Sequence, residues 1–269
     1  MSRVARSFLF VPGDRPERLA KAVASGAHEV IVDLEDAVAP AAKSQARDAV
    51  GTWLADGGRA VVRINGCGTP WFEEDIAMLR GAAACRVMLP KAEPESLAGL
   101  ARALPGRPVI ALVETVVGFL EVREVATARG VERLAFGSVD FAAESGIADE
   151  GEAMTAVRTR IVLESCRAKL TAPIDGVGLE FNEEGAMRAD ALRARQLGFG
   201  GKLCIHPRQV AAVNAAFRPS PQELDWAQRV LAAFDGSGGA ATAVDGKMID
   251  KPVVERAMRI TADARQEAA

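Results

Sequence analysis

Val109-Ile110-Ala111-Leu112-Val113-Glu114 is the stretch that decides how this chain folds: five apolar residues in a row, ended by an acid. Unbroken apolar runs of this length are typical of parallel strands buried on both faces, because neither face then needs polar residues. Seven other segments have the same pattern. The eight predicted strands are Phe8–Val11, Val30–Leu34, Ala60–Ile64, Arg86–Leu89, Val109–Val113, Leu134–Phe136, Gly176–Leu179 and Lys202–Ile205.

Segments with helical spacing lie between these strands. The clearest are Pro16–Ala24, Lys43–Leu54, Glu95–Leu104, Gly118–Thr127, Ala153–Leu170 and Glu184–Leu197. Eight strand–helix units in one chain predict a closed (β/α)8 TIM barrel, which takes about 250 residues. The alternative is an open doubly wound sheet, but no Gly-x-Gly-x-x-Gly turn follows the first strand, as it does in dinucleotide-binding folds.

The pattern changes toward the C-terminus. Arg208–Ala216 is predicted to be the eighth helix of the barrel, and Gln222–Phe234 a further helix. The Gly-, Ala- and Ser-rich stretch Asp235–Ala243 predicts a flexible linker. A last helix follows, from Val253 to about Ala264. We therefore expect a barrel domain over residues 1–218 and a C-terminal helical extension, or arm, over residues 219–269.

Composition and charge exclude several classes of partner. The chain has 269 residues, with 33 Lys and Arg against 36 Asp and Glu, so it lacks the basic excess of a nucleic-acid-binding surface. Its four cysteines form no Cys-x-x-Cys pair, which argues against a zinc or redox site. No apolar stretch approaches the ~20 residues of a membrane span, and the first apolar run is too short for a signal peptide. We expect a cytoplasmic enzyme with no nucleic-acid or membrane partner.

Polar residues follow most of the predicted strands. In such barrels the active site lies at the carboxyl ends of the strands, and charged groups there are costly to bury unless they are paired or coordinated. In strand order, the polar residues at these ends are Asp14 and Arg15, then Asp33, Glu35 and Asp36, then Arg63 and Asn65, then Lys91, Glu114, Asp140, Glu180 and His206.

Glu114 and Asp140 suggest a metal site, because each follows an apolar run and the two runs predict adjacent strands. The chain has two histidines, so oxygen ligands and therefore Mg²⁺ are favoured over zinc or iron on imidazoles. Glu35 and Asp36 are expected to accept hydrogen bonds from water molecules on the metal. The alternative is that these acids form structural ion pairs with basic residues of the rim.

Two further rim residues have competing interpretations. The planar guanidinium of Arg63 can donate two parallel hydrogen bonds to a carboxylate or enolate, or it can form a salt bridge with Asp33 or Glu35. His206 invites a general-base role, but a histidine followed by proline is more simply explained as holding the turn. The sequence leaves both alternatives open.

Six segments, in order, resemble the citrate lyase β-subunit-like proteins of the HpcH/HpaI aldolase superfamily, and they span almost the whole chain. They are Leu9-Phe10-Val11-Pro12-Gly13-Asp14-Arg15-Pro16-Glu17-Arg18, Asp33-Leu34-Glu35-Asp36-Ala37-Val38, Val62-Arg63-Ile64-Asn65-Gly66, Leu89-Pro90-Lys91-Ala92-Glu93, Ala111-Leu112-Val113-Glu114-Thr115 and Cys204-Ile205-His206-Pro207. The family includes citryl-, malyl- and citramalyl-CoA lyases. The resemblance therefore implies a carbon–carbon lyase that acts on a 3-hydroxyacyl-CoA thioester and yields a 2-oxo acid.

The resemblance also implies roles for individual residues. It places Mg²⁺ on Glu114 and Asp140 and gives Arg63 a contact with substrate. It makes Asp250, in the Gly246–Asp250 segment, a catalytic base supplied by another subunit of a trimer or hexamer. Arg15, at a predicted helix start, is a candidate for a CoA phosphate, with a capping ion pair as the alternative. Asp250 has an alternative too, as a cap of the final helix.

One segment departs from the family pattern. Many relatives carry an Asp-x-x-Asp-x-Glu-Gly-like run after the seventh strand, where this chain has Gly178-Leu179-Glu180-Phe181-Asn182-Glu183-Glu184-Gly185. The acyl substrate therefore stays open. Two alternative functions also stay open, a class II pyruvate aldolase and a citrate lyase β subunit that acts on an acyl-carrier-protein thioester. An acid at Asp250 favours the CoA lyase over the aldolase.

Overall fold

A computed structural model describes residues 5–82, 85–238 and 240–268 of the chain. Eight parallel strands close into a barrel in sequence order, with β1 hydrogen-bonded to both β2 and β8. The strands are β1 Ser7–Pro12, β2 Glu29–Asp33, β3 Val61–Arg63, β4 Arg86–Leu89, β5 Val109–Val113, β6 Val131–Phe136, β7 Thr171–Asp175 and β8 Gly201–Cys204. The predicted TIM barrel is therefore confirmed.

Helices connect these strands. They are α1 Pro16–Ala24, α2 Lys43–Ala55, α3 Phe72–Gly81, α4 Pro94–Ala103, α5 Val116–Leu120, α6 Val122–Thr127, α7 Ser138–Ser145, α8 Gly151–Arg167, α9 Glu184–Leu197 and α10 Pro207–Ala216. The helix predicted over residues 118–127 is two short helices that meet at Glu121. Helices α3 and α7 were not among the predicted elements.

The interior of the barrel is apolar, and each of the eight strands contributes to it. The buried residues of this core are Phe8, Ile31, Val61, Met88, Ile110, Leu112, Ala135, Ile174 and Leu203. Because side chains alternate across a strand, the residue two positions after each of these also faces the inside of the barrel, one layer nearer to the carboxyl ends of the strands. This alternation decides which polar side chains reach the mouth of the barrel.

The seventh strand was predicted wrongly. It runs from Thr171 to Asp175, so Gly176–Leu179 lies beyond its end. Pro173 and Asp175 broke the apolar pattern that the prediction relied on. Asp175 points away from the barrel interior, where its carboxylate accepts hydrogen bonds from Lys202 Nζ and Arg158 Nε, both at 2.9 Å. Two cations thus compensate a charge that the sequence pattern treated as incompatible with a buried strand.

The C-terminal residues form a separate compact unit. Residues 5–215 make one unit, and residues 216–268 belong to the other. The division lies close to the predicted boundary after residue 218. That the two units are separate domains stays a prediction. The second unit contains α11 Pro221–Gly236, the antiparallel strands β9 Thr242–Val244 and β10 Lys247–Ile249, and α12 Lys251–Ala268. Its core includes Ala227, Val230, Ile249, Val254 and Ala257.

The structure shortens the predicted linker at both ends. Both ends of the stretch over residues 235–243 belong to regular elements, α11 and β9, and Gly239 lies outside the described residues. Among the described helices of the whole chain, none combines the length and the apolar character needed to cross a membrane.

We expect Asp175→Asn to lower the free energy of unfolding of the barrel by about 3–5 kcal/mol, because it leaves Lys202 and Arg158 buried with less negative charge between them. Glu132→Gln is the matched control: it removes an acid that pairs with Arg86 on the barrel surface, 2.9 Å away, and should cost no more than about 1 kcal/mol. Urea titrations measure both. Equal costs for the two variants would contradict the role given to Asp175.

Candidate functional site

A cavity of about 350 Å³ opens at the mouth of the barrel and brings together several of the predicted residues. Arg63, Glu114, Asp140 and Asp36 line it together with Asp33. The remaining lining residues are Phe10, Ala37, Leu112, Gly137, Ser138, Val139, Val177, Leu203 and Ile205. Asp33, Arg63 and Glu114 each follow a core residue by two positions, so strand alternation directs them to the barrel interior.

Glu114 is a buried carboxylate, with 2% of its surface exposed, directly after β5. Its Oε1 accepts a hydrogen bond of 2.8 Å from the backbone N–H of Lys91, which adopts a left-handed conformation with φ of 47°. The residue beside it is Gly137, where a Cβ would lie 2.5 Å from Glu114 Oε2. Glycine at that position therefore leaves the space that the carboxylate occupies.

The charge of Glu114 is poorly compensated. The pKa of this carboxyl is raised to about 8, chiefly by burial and then by the negative charges of Glu35 and Asp140, which together outweigh the lowering effect of the Lys91 amide and of Arg63. A cation in the cavity would stabilise the ionised form. Glu114 is therefore better suited to hold a metal ion than an exposed acid, whose charge water already stabilises.

Asp140 reaches the same cavity by a different route from the one predicted. Strand β6 ends at Phe136, and Asp140 lies in the first turn of α7 rather than at the strand end. An acid is favourable there because the first turn of a helix carries partial positive charge. Within the described residues, the Asp140 carboxylate has no hydrogen bond or ion pair, so it is open to a ligand.

Arg63 forms the salt bridge that the sequence left as an alternative, and it also lines the cavity. Its Nε and Nη2 donate to the two oxygens of Asp33 at 2.7 and 2.6 Å. Its Nη1 lies 3.0 Å from Glu35 Oε2 and 3.5 Å from Asp36 Oδ2. The guanidinium also stacks on the ring of Phe10, 4.8 Å from the ring centroid. The two parallel hydrogen bonds of the guanidinium fork thus go to Asp33.

Asp33 organises the loop that follows β2. Besides holding Arg63, it accepts the backbone N–H groups of Glu35 and Ala37 at 2.9 and 3.1 Å. Glu35 in turn accepts a hydrogen bond of 2.9 Å from Lys91 Nζ, and burial raises its pKa. Asp36 stays exposed at the edge of the cavity. Asp36 lines the cavity and Glu35 is not among its lining residues, and their contact with metal-bound water stays a prediction.

Other rim residues have structural contacts. His206 Nδ1 accepts the backbone N–H of Arg208 at 3.2 Å, and its ring stacks on Phe181 with centroids 4.9 Å apart, which supports the turn-holding interpretation. Asn65 donates to Asp75 through both its backbone and its side-chain amide. The Glu180 carboxylate caps backbone N–H groups of its own loop.

Arg15 and Asp250 are not among the residues that line the cavity of this chain. Arg15 is exposed at the start of α1, with its Nε 4.0 Å from Asp14 Oδ1. Asp250 belongs to the C-terminal unit and precedes α12 directly. Its side chain accepts the N–H of Val253 at 3.4 Å, so the capping contact that the sequence left as an alternative is present.

Among the lining residues that sequence reasoning did not single out, Phe10 and Ser138 make contacts that shape the site. Phe10 supports the guanidinium of Arg63 with its ring, and its signal was available, since it follows the core residue Phe8 by two positions. Ser138 is buried at the start of α7, a helix that was not predicted. A serine two residues before Asp140, at the first helical position, carries no periodic signal.

The donor set fits magnesium rather than zinc. No group of three or more His, Cys, Asp or Glu residues able to hold a metal occurs in the described parts of the chain. Mg²⁺ is commonly bound by one or two carboxylates, with water and substrate oxygens completing its octahedron. Glu114 and Asp140 supply such a pair: the charge of Glu114 is buried and poorly compensated, and Asp140 has no partner within the described residues.

Comparison with known proteins gives consistent relatives. Residues 6–207 match the HpcH/HpaI aldolase/citrate lyase family. A citrate lyase subunit beta-like protein of Mycobacterium tuberculosis is 41% identical over 93% of this chain and 92% of its own. Two Cereibacter sphaeroides proteins are also similar. A (3S)-malyl-CoA thioesterase is 34% identical over 98% of this chain and 96% of its own, and an L-malyl-CoA/beta-methylmalyl-CoA lyase is 33% identical over 98% and 95%.

A solved structure is similar over nearly the whole length. The M. tuberculosis protein CitE, in complex with magnesium, acetoacetate and coenzyme A, superposes with a TM-score of 0.87 at 39% identity. The match covers 97% of this chain and 98% of that one.

We expect the Mg²⁺ affinity of the protein to rise with pH up to about 8 and to level off above it. Below that pH the proton on Glu114 competes with the metal, so the affinity should fall by about tenfold per pH unit and binding should release close to one proton. Calorimetry in buffers of different ionisation enthalpy measures both quantities.

The control is Glu35→Gln. It removes a negative charge that raises the Glu114 pKa, so the break in the pH profile should move to lower pH. An affinity that is flat from pH 6.5 to 9 in the unsubstituted protein would contradict the assignment of Glu114.

Proposed function

This chain belongs to the HpcH/HpaI aldolase/citrate lyase family, and we propose that it is a Mg²⁺-dependent carbon–carbon lyase acting on a 3-hydroxyacyl-CoA thioester. It cleaves, or forms by Claisen condensation, a compound such as malyl-, citramalyl- or citryl-CoA. The observation that carries the proposal is one cavity that joins a poorly compensated buried carboxylate, an unpartnered acid and a rigidly held arginine, namely Glu114, Asp140 and Arg63.

Glu114 and Asp140 would hold the metal ion. When bound, Mg²⁺ supplies Lewis-acid stabilisation of the negative charge that develops on the substrate hydroxyl. Asp36, exposed at the edge of the cavity, and Glu35, which is tied to Lys91, orient water around the site by accepting hydrogen bonds. The apolar wall formed by Phe10, Leu112 and Leu203 excludes bulk water and so strengthens each charge interaction inside.

Arg63 stabilises the leaving fragment. Breaking the carbon–carbon bond moves an electron pair into the thioester carbonyl, and the product is an enolate beside a 2-oxo acid. A guanidinium has five N–H donors, and Asp33 takes one each from Nε and Nη2. The three remaining donors, two of them on Nη1 beside Glu35 and Asp36, are the ones proposed to stabilise the enolate oxygen in the manner of an oxyanion hole. Because Asp33 and Phe10 fix the guanidinium before substrate arrives, little reorganisation is needed.

Asp250 completes the reaction from another subunit. As its conjugate acid it protonates the enolate carbon, and in the synthetic direction it removes that proton. It is exposed at the end of the β9–β10 hairpin, in a unit that packs around its own core. A homotrimer or homohexamer is the assembly that the family resemblance implies, and exchange of such an element between symmetric subunits adds little cost. The contact with the Val253 N–H is compatible with this role, since it uses one carboxylate oxygen.

Arg15 is the proposed contact for a CoA phosphate. Its guanidinium is exposed at the start of α1, a helix whose first residue is a proline and whose N-terminus has no side-chain cap. Unsatisfied N–H groups there favour an anion. The 4.0 Å contact with Asp14 is loose enough to yield to a phosphate.

Two other functions differ in their substrate. A pyruvate aldolase needs no acid at position 250, and a citrate lyase β subunit takes its acyl group from a carrier protein rather than from CoA. The relatives with malyl-CoA in their names favour the CoA thioester. One of them is a thioesterase, so hydrolysis of the thioester is the second activity to measure.

The deciding experiment is a turnover screen of the purified protein with Mg²⁺ against malyl-, citramalyl- and citryl-CoA, with 2-oxo acid, acetyl-CoA and free CoA measured separately. We expect oxo acid from at least one substrate. Glu114→Gln and Asp140→Asn should each abolish turnover without unfolding the barrel, because each keeps its shape but loses its charge. Asp48→Asn, at an exposed acid on α2, is the matched control. Calorimetric Mg²⁺ binding by the double variant equal to that of the unsubstituted protein would refute the metal site.

Arg63→Lys should lower kcat by about 10²–10³, the usual cost of losing one oxyanion donor. A lysine ammonium is a single point donor and cannot hold both Asp33 oxygens while it also donates to substrate. Arg80→Lys, on the outside of α3, serves as the control and should keep full activity. A fall of less than threefold for Arg63→Lys would show that the residue is structural.

Mixing tests the placement of Asp250. Asp250→Asn and Arg63→Ala proteins should each be inactive alone, and co-refolded mixtures should regain a fraction of activity, since some sites then combine an intact barrel with an intact Asp250. Asp245→Asn, in the turn of the same hairpin, should stay active by itself. Mixed oligomers that form and remain inactive would contradict action in trans.

A further inference from the structure

A chain of polar contacts from Arg158 through Asp149 to Ser138, which lines the cavity, leads to the helix that carries Asp140. Arg158, in the middle of α8, is 2% exposed. Its Nε donates to Asp175 Oδ1 at 2.9 Å and its Nη2 to Asp149 Oδ1 at 2.8 Å. The other oxygen of Asp149 accepts a hydrogen bond of 2.8 Å from the hydroxyl of Ser138, the first residue of α7. Asp149 therefore links a buried arginine to the start of the helix that bears Asp140.

The far end of this chain of contacts is firmly anchored. Asp175 ends β7, is fully buried, and also accepts from Lys202 Nζ at 2.9 Å. Lys202 in turn lies 3.0 Å from Asp190 on α9. The Arg158 guanidinium also lies over the ring of Phe136, the last residue of β6, at 5.3 Å from its centroid. Arg158 is thus fixed to the ends of two strands that flank the cavity.

The near end is held tightly as well. Ser138 is 1% exposed, and a Cβ on the neighbouring Gly176 would lie 2.4 Å from its Oγ. The hydroxyl is therefore confined between Gly176 and the Asp149 carboxylate. Asp140, two residues further on, has no hydrogen bond or ion pair within the described parts of the chain, so the backbone of the first turn of α7 is what ties its side chain to the cavity.

We propose that Ser138, Asp149 and Arg158 are positioning residues for the metal site: they fix the first turn of α7 and so hold the Asp140 carboxylate opposite Glu114. This inference rests on the proposed function, since it assumes that Glu114 and Asp140 bind Mg²⁺. Arg158 and Asp175 together already stabilise the barrel. The Ser138–Asp149 hydrogen bond adds little to that ion pair, and its effect is on the geometry of the cavity.

The test is calorimetric Mg²⁺ binding to metal-free and substrate-free protein. Ser138→Ala removes the hydrogen bond to Asp149 and leaves the pairing of Arg158 with Asp149 and Asp175 intact. Asp149→Asn weakens both contacts from outside the cavity. We expect each variant to bind Mg²⁺ about tenfold more weakly, the lower end of what is usual for residues that support metal ligands, and its kcat to recover at saturating Mg²⁺.

Ser145→Ala is the matched control, because it makes the same substitution at the other end of α7, where the hydroxyl contacts the N–H of Ile147. It should bind Mg²⁺ as the unsubstituted protein does. If Ser138→Ala and Asp149→Asn bind Mg²⁺ within twofold of the unsubstituted protein, the inference is overturned and the proposed function stands. If the unsubstituted protein binds no Mg²⁺, both are overturned. Should Asp149→Asn fail to fold, Ser138→Ala decides alone.

Discussion

The ion pair between Asp33 and Arg63 is the interaction on which the rest of the site depends. The two residues end neighbouring strands and are paired directly in the register of β2 and β3. With both hydrogen bonds near 2.7 Å, the pair fixes the guanidinium in the mouth of the barrel. Asp33 also holds the backbone of the next loop, and with it Glu35 and Asp36. A buried pair of this kind adds little net stability, so its value lies in the geometry that it imposes.

The barrel accommodates its charged residues in two different places, at the mouth of its interior and in the layer between strands and helices. Inside, the alternation of each strand places apolar residues below and charged ones above, next to a cavity that water and ligands can enter. Outside, the charges of Asp175 and Lys202 neutralise each other beneath the helices. Glu114 lies buried at the mouth of the barrel with its charge poorly compensated, and this is the physical reason to assign a cation to it.

Much of the fold follows from the chain pattern alone. Apolar runs located seven of the eight strands, since a strand buried on both faces has no other composition available. The seventh strand was not predicted because it contains Asp175, whose charge can be buried only because Lys202 from the next strand and Arg158 from α8 pair with it. Helix α7 was not predicted either, because its eight residues are too few to show a clear helical period of apolar residues.

The candidate site divides in the same way. The sequence by itself pointed to Arg63 and Glu114, because polar residues at the carboxyl ends of the strands of such a barrel lie around its active site. It also gave a salt bridge with Asp33 as one of the alternatives for Arg63. Only the tertiary structure decided that Asp140 reaches the cavity from a helix, with Ser138 fixed by Asp149 behind it. Contacts between residues far apart in the chain depend on how elements pack, and no local pattern of residues encodes them.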